Sequence, residues 1–188
     1  MQKFIPADEQ LMNMLPHIHH EIFQMTETLW TGTSMLKDLS GKVCQMQLEN
    51  DLWRSCLIHA RILLDFFEFE KRRTRYDKEM DDVLSADYGF QAQKVEIVSH
   101  YRVMMNRDLA HLTYSRADRK VAEYLSPITK VFLPLLQRCA EFSEHLLSTD
   151  MLDNAPGYLL SWETLLDRIK SLVELINQNN DQRGATSA

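Results

Sequence analysis

Five polar side chains that could handle a phosphate group lie between residues 100 and 114. On a helix, His100, Arg107, His111 and Tyr114 fall on one face, and Asn106 lies on the neighbouring row. Arginine offers a fixed fork of donors to a phosphate, and histidine can move a proton near neutral pH. Such groups would let a ribose 2′-hydroxyl attack its own phosphodiester without a metal ion.

The same residues also fit a structural role. Arg107 and His111 are four residues apart and could be satisfied by carboxylates of the preceding connection. That connection holds three candidate acids, Asp81, Asp82 and Asp87. Structural networks use the same residue types as active sites, so this alternative predicts a buried network that includes Tyr114 and performs no catalysis.

The stretch MNRDLAHLTYSR (105–116) resembles the RNxxxH element of HEPN domains. These are helical bundles, often dimeric, that include metal-independent ribonucleases of toxin and phage-defence systems as well as non-catalytic members. His111 matches the family histidine, whereas Asn106 stands where the family has arginine and Arg107 follows it. The resemblance implies RNA as a partner, His111 as acid or base, and Arg107 or the upstream Arg102 stabilising phosphate charge.

A third alternative is a metal centre inside a helical bundle. His59 and His111 could share a divalent cation with a carboxylate of the 81–87 connection. However, His59 lies in an apolar row, where a histidine bonded to a carbonyl or carboxylate is more usual, and no HExxH or ExxH spacing is present. We therefore predict no metal ion and no cofactor.

The elements that position these residues are predicted to be helices. Apolar residues recur at helical spacing near 7–36, and two adjacent apolar rows at 43–70 predict a wide buried stripe. Further helices are expected over about 91–114, from 118 to about 149, and after a cap at Ser161. Pro16 and Pro134 should interrupt or kink their helices.

These helices predict an all-α fold. We expect a single-domain antiparallel helical bundle of about five to six helices over residues 1–178. The polar tail at 179–188 has nothing to bury and is expected to be disordered. Five glycines and five prolines are few for this length, which also favours helices over a protein with many tight turns.

The run KRRTR (71–75) is the one basic cluster of the sequence. It could contact RNA phosphates. It also follows the end of a predicted helix, where cations offset the helix dipole, and acids flank it on both sides. The second interpretation, a solvated cap, fits the surrounding charges better.

Composition limits the class of protein. A net charge of −6 argues against a chain that coats nucleic acid through an overall basic surface. Three scattered cysteines without a CxxC pair indicate reduced thiols, and no signal peptide or long apolar run is visible. A soluble, cytoplasmic protein without membrane contact is therefore expected.

These patterns favour a non-catalytic or HEPN-like interaction module, for which a homodimer and a small protein partner are the assemblies to consider. The first alternative is a metal-independent HEPN-type endoribonuclease acting on RNA or a nucleotide. The second is a metal-binding bundle. The sequence leaves open whether the chain is an enzyme.

Overall fold

The computed structural model describes residues 4–34, 42–75, 78–97, 99–108, 131–153 and 155–185. Within these ranges lie five α-helices, α1 (Asp8–Ser34), α2 (Lys42–Glu68), α3 (Ser99–Asp108), α4 (Leu133–Leu147) and α5 (Pro156–Ala185). The strands in the described ranges are β1 (Thr74–Arg75) and β2 (Lys78–Glu79), which pair antiparallel. The prediction of an all-α fold is confirmed.

Contacts between α1 and α2 show that these helices are antiparallel. Glu21 of α1 bonds to His59 of α2, and the carbonyl of Met25 accepts from the Cys56 thiol. Along the contact, residue numbers therefore increase in α1 while they decrease in α2. The wide apolar stripe predicted for α2 is the face buried in this packing, with Cys56 only 1% exposed.

The other two long helices complete a four-helix arrangement. His19 contacts Trp162, and Glu27 pairs with Arg168, so α1 and α5 run in the same direction. Aromatic contacts then show the direction of α4. They join Trp53 to Phe132 and Phe66 to Phe142, so α2 and α4 also run together. The helical bundle therefore contains neighbours of both directions: α1 and α2 are antiparallel, whereas α1 and α5, like α2 and α4, are parallel.

An aromatic cluster fills the core where α2, α4 and α5 meet. Phe142 is fully buried at its centre. Its ring lies 5.1–5.9 Å, between centroids, from five other rings: Phe66, Phe67, Tyr88, Phe90 and Trp162. All five contacts are edge-to-face, the arrangement that aromatic quadrupoles favour.

The third helix begins later than predicted. Residues 91–97 are not helical, and α3 starts at Ser99. The backbone N–H groups of Gln93 and Val95 instead donate to the Phe67 carbonyl and the Glu68 carboxylate. Bonding to the end of α2 therefore replaces the hydrogen bonds that a helix would have formed.

Prolines and caps also differ from expectation. Pro16 lies inside an unbroken α1, whose buried residues hold the helix across it. Pro134 lies in the first turn of α4, where a proline needs no hydrogen bond. The last helix starts at Pro156, not at a Ser161 cap, and the Ser161 hydroxyl donates to the Gly157 carbonyl.

The last helix is also longer than predicted. It continues to Ala185, through 179–185 of the segment that was expected to be a disordered tail. No proline follows Pro156 in this stretch, so nothing covalent stops the helix where its apolar pattern ends.

Candidate functional site

The residues predicted to bind phosphate fall at the end of a described helix. Asn106 and Arg107 lie in the last turn of α3. His111 and Tyr114 lie outside the described residues. The shared face of Arg107 and His111 therefore stays a prediction.

Arg102 of α3 is held by a carboxylate. Its two terminal nitrogens donate to the two oxygens of Glu68 at 2.7 and 2.5 Å, and Nη2 also donates to the Val95 carbonyl at 2.5 Å. The hydrogen bonds that the Arg102 guanidinium donates to the Glu68 carboxylate raise the pKa of Arg102. The pair joins α3 to the end of α2, and it uses the guanidinium donors that a bound phosphate would need.

Two of the acids expected near Arg107 and His111, Asp82 and Asp87, bind arginines of the basic run. Arg72 donates to Asp87 at 2.5 Å, and these side chains are only 11% and 10% exposed. Arg73 donates through two nitrogens to Asp82 at 3.0 and 2.7 Å, but its side chain is 61% exposed. The Arg73 hydrogen bond lowers the pKa of the Asp82 carboxyl. Asp81 is exposed.

This pairing corrects the interpretation of the 71–75 run as a solvated cap. The prediction is wrong for Arg72, whose largely buried side chain pairs with Asp87. The physical reason is that the chain after α2 turns back at the Ser85–Tyr88 3-10 turn and Gly89, whose φ is +72°. That turn brings Asp87 to the arginine, a long-range contact that local charge spacing does not reveal.

His59 has the structural role that its apolar row indicated. Its Nδ1 lies 2.7 Å from Oε2 of Glu21, and the bond joins α1 to α2. Within the described ranges, no three His, Cys, Asp or Glu side chains are grouped so that they could hold a metal ion. The proposed partner of His59 in a metal centre, His111, lies outside those ranges.

No known family model, curated protein or solved structure matches this chain. Its functional surface must therefore be inferred from its own geometry. In the described part of the chain, no helix is long and apolar enough to cross a membrane.

A surface that the sequence analysis missed lies on the outward side of α2. Ile58 and Ile62 of α2 are 50% and 45% exposed there, and Phe69, directly after the end of the helix, is 37% exposed. Arg54 and Asp65 share this side, because spacings of four, four, three and four keep all five residues on one face of a helix. We call these five residues the α2 strip.

The two charged members of the α2 strip lack strong partners. Asp65 makes no ion pair within 4.0 Å with any described residue, so the surface pair with Arg61 that its spacing allows is not formed. Burial raises the pKa of the Asp65 carboxyl, with Arg73 and Arg61 acting in the opposite direction. Arg54 reaches only Asp51, at 4.0 Å, and both of these side chains are more than half exposed.

The α2 strip borders a groove between α1 and α2. This groove encloses about 360 Å³ and has Ile62, Asp65 and Phe69 on its α2 side. Met14 and Ile18 of α1 form its opposite wall. The exposed apolar surface of the strip therefore continues into a concave surface, as binding surfaces commonly do.

Proposed function

We propose that this chain is a non-catalytic helical interaction module that forms a homodimer through the α2 strip. The observation that carries the proposal is the order of residues along the strip. A cation, two isoleucines and an acid follow one another at positions 54, 58, 62 and 65. When two such strips pair in opposite directions, the isoleucines of the two copies meet and the cation of each copy lies near the acid of the other.

An antiparallel pairing of two α2 helices centred on position 60 makes this complementarity explicit. Ile58 of each copy then lies opposite Ile62 of the other. Arg54 lies opposite position 66, one residue and about 1.5 Å along the axis from Asp65 of the second copy. Two-fold symmetry forms each contact twice, as in other isologous interfaces.

The apolar and charged residues have different roles in this pairing. Each Å² of apolar surface removed from water contributes about 25 cal/mol, so the half-exposed isoleucines supply most of the affinity. Exposed ion pairs contribute little to affinity, but charge complementarity fixes register and orientation. Arg54 of a second copy also supplies the ion-pair partner that Asp65 lacks among the described residues of its own chain.

We expect Arg54→Glu to weaken self-association about tenfold, because it places a carboxylate against Asp65 of the second copy. Combining it with Asp65→Arg should restore the affinity, because the attraction is then re-formed with the charges exchanged. Sedimentation equilibrium over a range of protein concentrations measures each dissociation constant.

The matched control is Asp153→Arg, which makes the same charge change as Asp65→Arg at an exposed position away from α2. It should leave self-association unchanged. A wild-type chain that stays monomeric at every concentration, or single strip variants that associate as the wild type does, would contradict the proposal. Far-UV circular dichroism verifies that each variant is folded.

We also propose, as the alternative, a metal-independent ribonuclease of HEPN type. Its support is the helical backbone of Ser99–Asp108, which gives Asn106 and Arg107 the helical setting that the resemblance requires. Purified chain incubated with RNA in EDTA should then cleave it, and His111→Ala should reduce the rate by at least about 100-fold. Equal cleavage by the variant, or none by the wild type, would rule this alternative out.

A further inference from the structure

A second surface, separate from the α2 strip, lies between the parallel helices α1 and α5. It is an open groove of about 710 Å³. Its lining includes His19, Phe23 and Glu27 of α1, and Leu160, Asp167 and Arg168 of α5. We infer that this groove binds a basic amphipathic helix of a partner protein.

Apolar side chains offer contacts on both walls of the groove. Phe23 of α1 is 40% exposed, and Leu160 of α5 is 66% exposed. The His19 ring stacks on Phe23 at 6.2 Å and meets buried Trp162 edge-on at 5.2 Å. The wall that carries Phe23 is therefore fixed by the core, so a partner meets a preformed apolar surface.

Two basic side chains among the described residues line the groove, and neither carries a free positive charge. Arg168 donates to both carboxylate oxygens of Glu27, at 2.6 and 3.2 Å, and lies 3.7 Å from the centre of the Trp30 ring. Burial lowers the pKa of His19, so its ring is neutral at pH 7. Neither group leaves a net positive charge inside the groove.

The charged lining residue that has no ion pair with a described residue is acidic. Asp167 lines the groove, and Glu163 and Glu174 lie on the same exposed side of α5. Lys170, the α5 lysine near Asp167, is paired with Glu144 of α4 at 2.8 Å. An apolar groove with an acidic rim is complementary to an apolar ligand that carries lysine or arginine, and it repels nucleic acid and anionic lipid.

The dimensions of the groove suit a helix. Its α5 wall extends from Leu160 to Ser171, about 16 Å at 1.5 Å per residue. That length accommodates about three turns of a docked helix, which would present apolar residues at i, i+4 and i+7 and flanking cations. A helix bound in this way contacts both the preformed apolar wall around Phe23 and the acids of α5.

The test uses the full chain and a labelled 18-residue helical peptide with leucines at i, i+4 and i+7 and lysines on both flanks. Fluorescence anisotropy should show saturable binding to the wild type. Leu160→Asp should weaken binding about tenfold by removing an apolar contact, and Asp167→Lys should weaken it by a similar factor. A peptide with glutamates in place of the lysines should not bind.

Ile58→Asp is the matched control, because it also places an acid at an exposed apolar position but lies on the α2 strip. It should leave peptide binding unchanged and weaken only self-association. No binding by the wild type, or equal binding by the wild type and both groove variants, would overturn the inference. Sedimentation of Leu160→Asp should still show a dimer, so failure of either proposal is recognised separately.

Discussion

Phe142→Ala is expected to lower the free energy of unfolding by about 3–5 kcal/mol. Phe142 is fully buried, and its ring contacts residues of α2 and α5 as well as the 85–90 turn. Truncation leaves a cavity at a junction of several elements, none of which can close it alone.

Urea denaturation followed by circular dichroism measures this loss. The protein concentration must be the same for every variant, because a self-associating chain has a concentration-dependent stability. Phe23→Ala is the matched control, since Phe23 is 40% exposed and its truncation should cost less than about 1 kcal/mol. Equal losses for the two variants would show that the aromatic cluster does not anchor the fold.

Local periodicity was sufficient to predict the helices because burial follows the helical repeat. The apolar rows of α2 are the face that packs inside the bundle, and α1 agrees with its predicted span to within about two residues. The start of α3 could not be predicted in this way. Residues 91–97 bond to the end of α2, and that choice depends on contacts distant in sequence.

The candidate surface was harder to predict than the fold. Ile58 and Ile62 look like ordinary apolar residues in the sequence, where either could belong to the wide buried stripe predicted for α2. Only the packing shows that both point away from the core. Asp65 and Arg61 are four residues apart, a spacing that allows an ion pair, but side chains a turn apart need not meet when one of them is half-buried.

The pairing of the basic run at 71–75 could not be predicted from local spacing either, because Arg72 binds an acid 15 residues further along the chain. Asp87→Ala should lower the free energy of unfolding by about 3 kcal/mol, because it leaves Arg72 buried without its carboxylate. Asp87 also accepts the backbone N–H of Leu84 at 2.9 Å, so the 85–88 turn loses a bond as well. Chemical denaturation at pH 7 measures the loss.

Asp82→Ala provides the matched comparison, because it removes an aspartate that also binds an arginine of this run. Arg73 is 61% exposed and returns to water when released, so this variant should cost less than about 1 kcal/mol. Replacing both members of the buried pair, as Arg72→Met with Asp87→Leu, should recover much of the stability lost in Asp87→Ala. If Asp87→Ala and Asp82→Ala lose the same stability, the difference in burial between the two pairs does not determine what they contribute to stability.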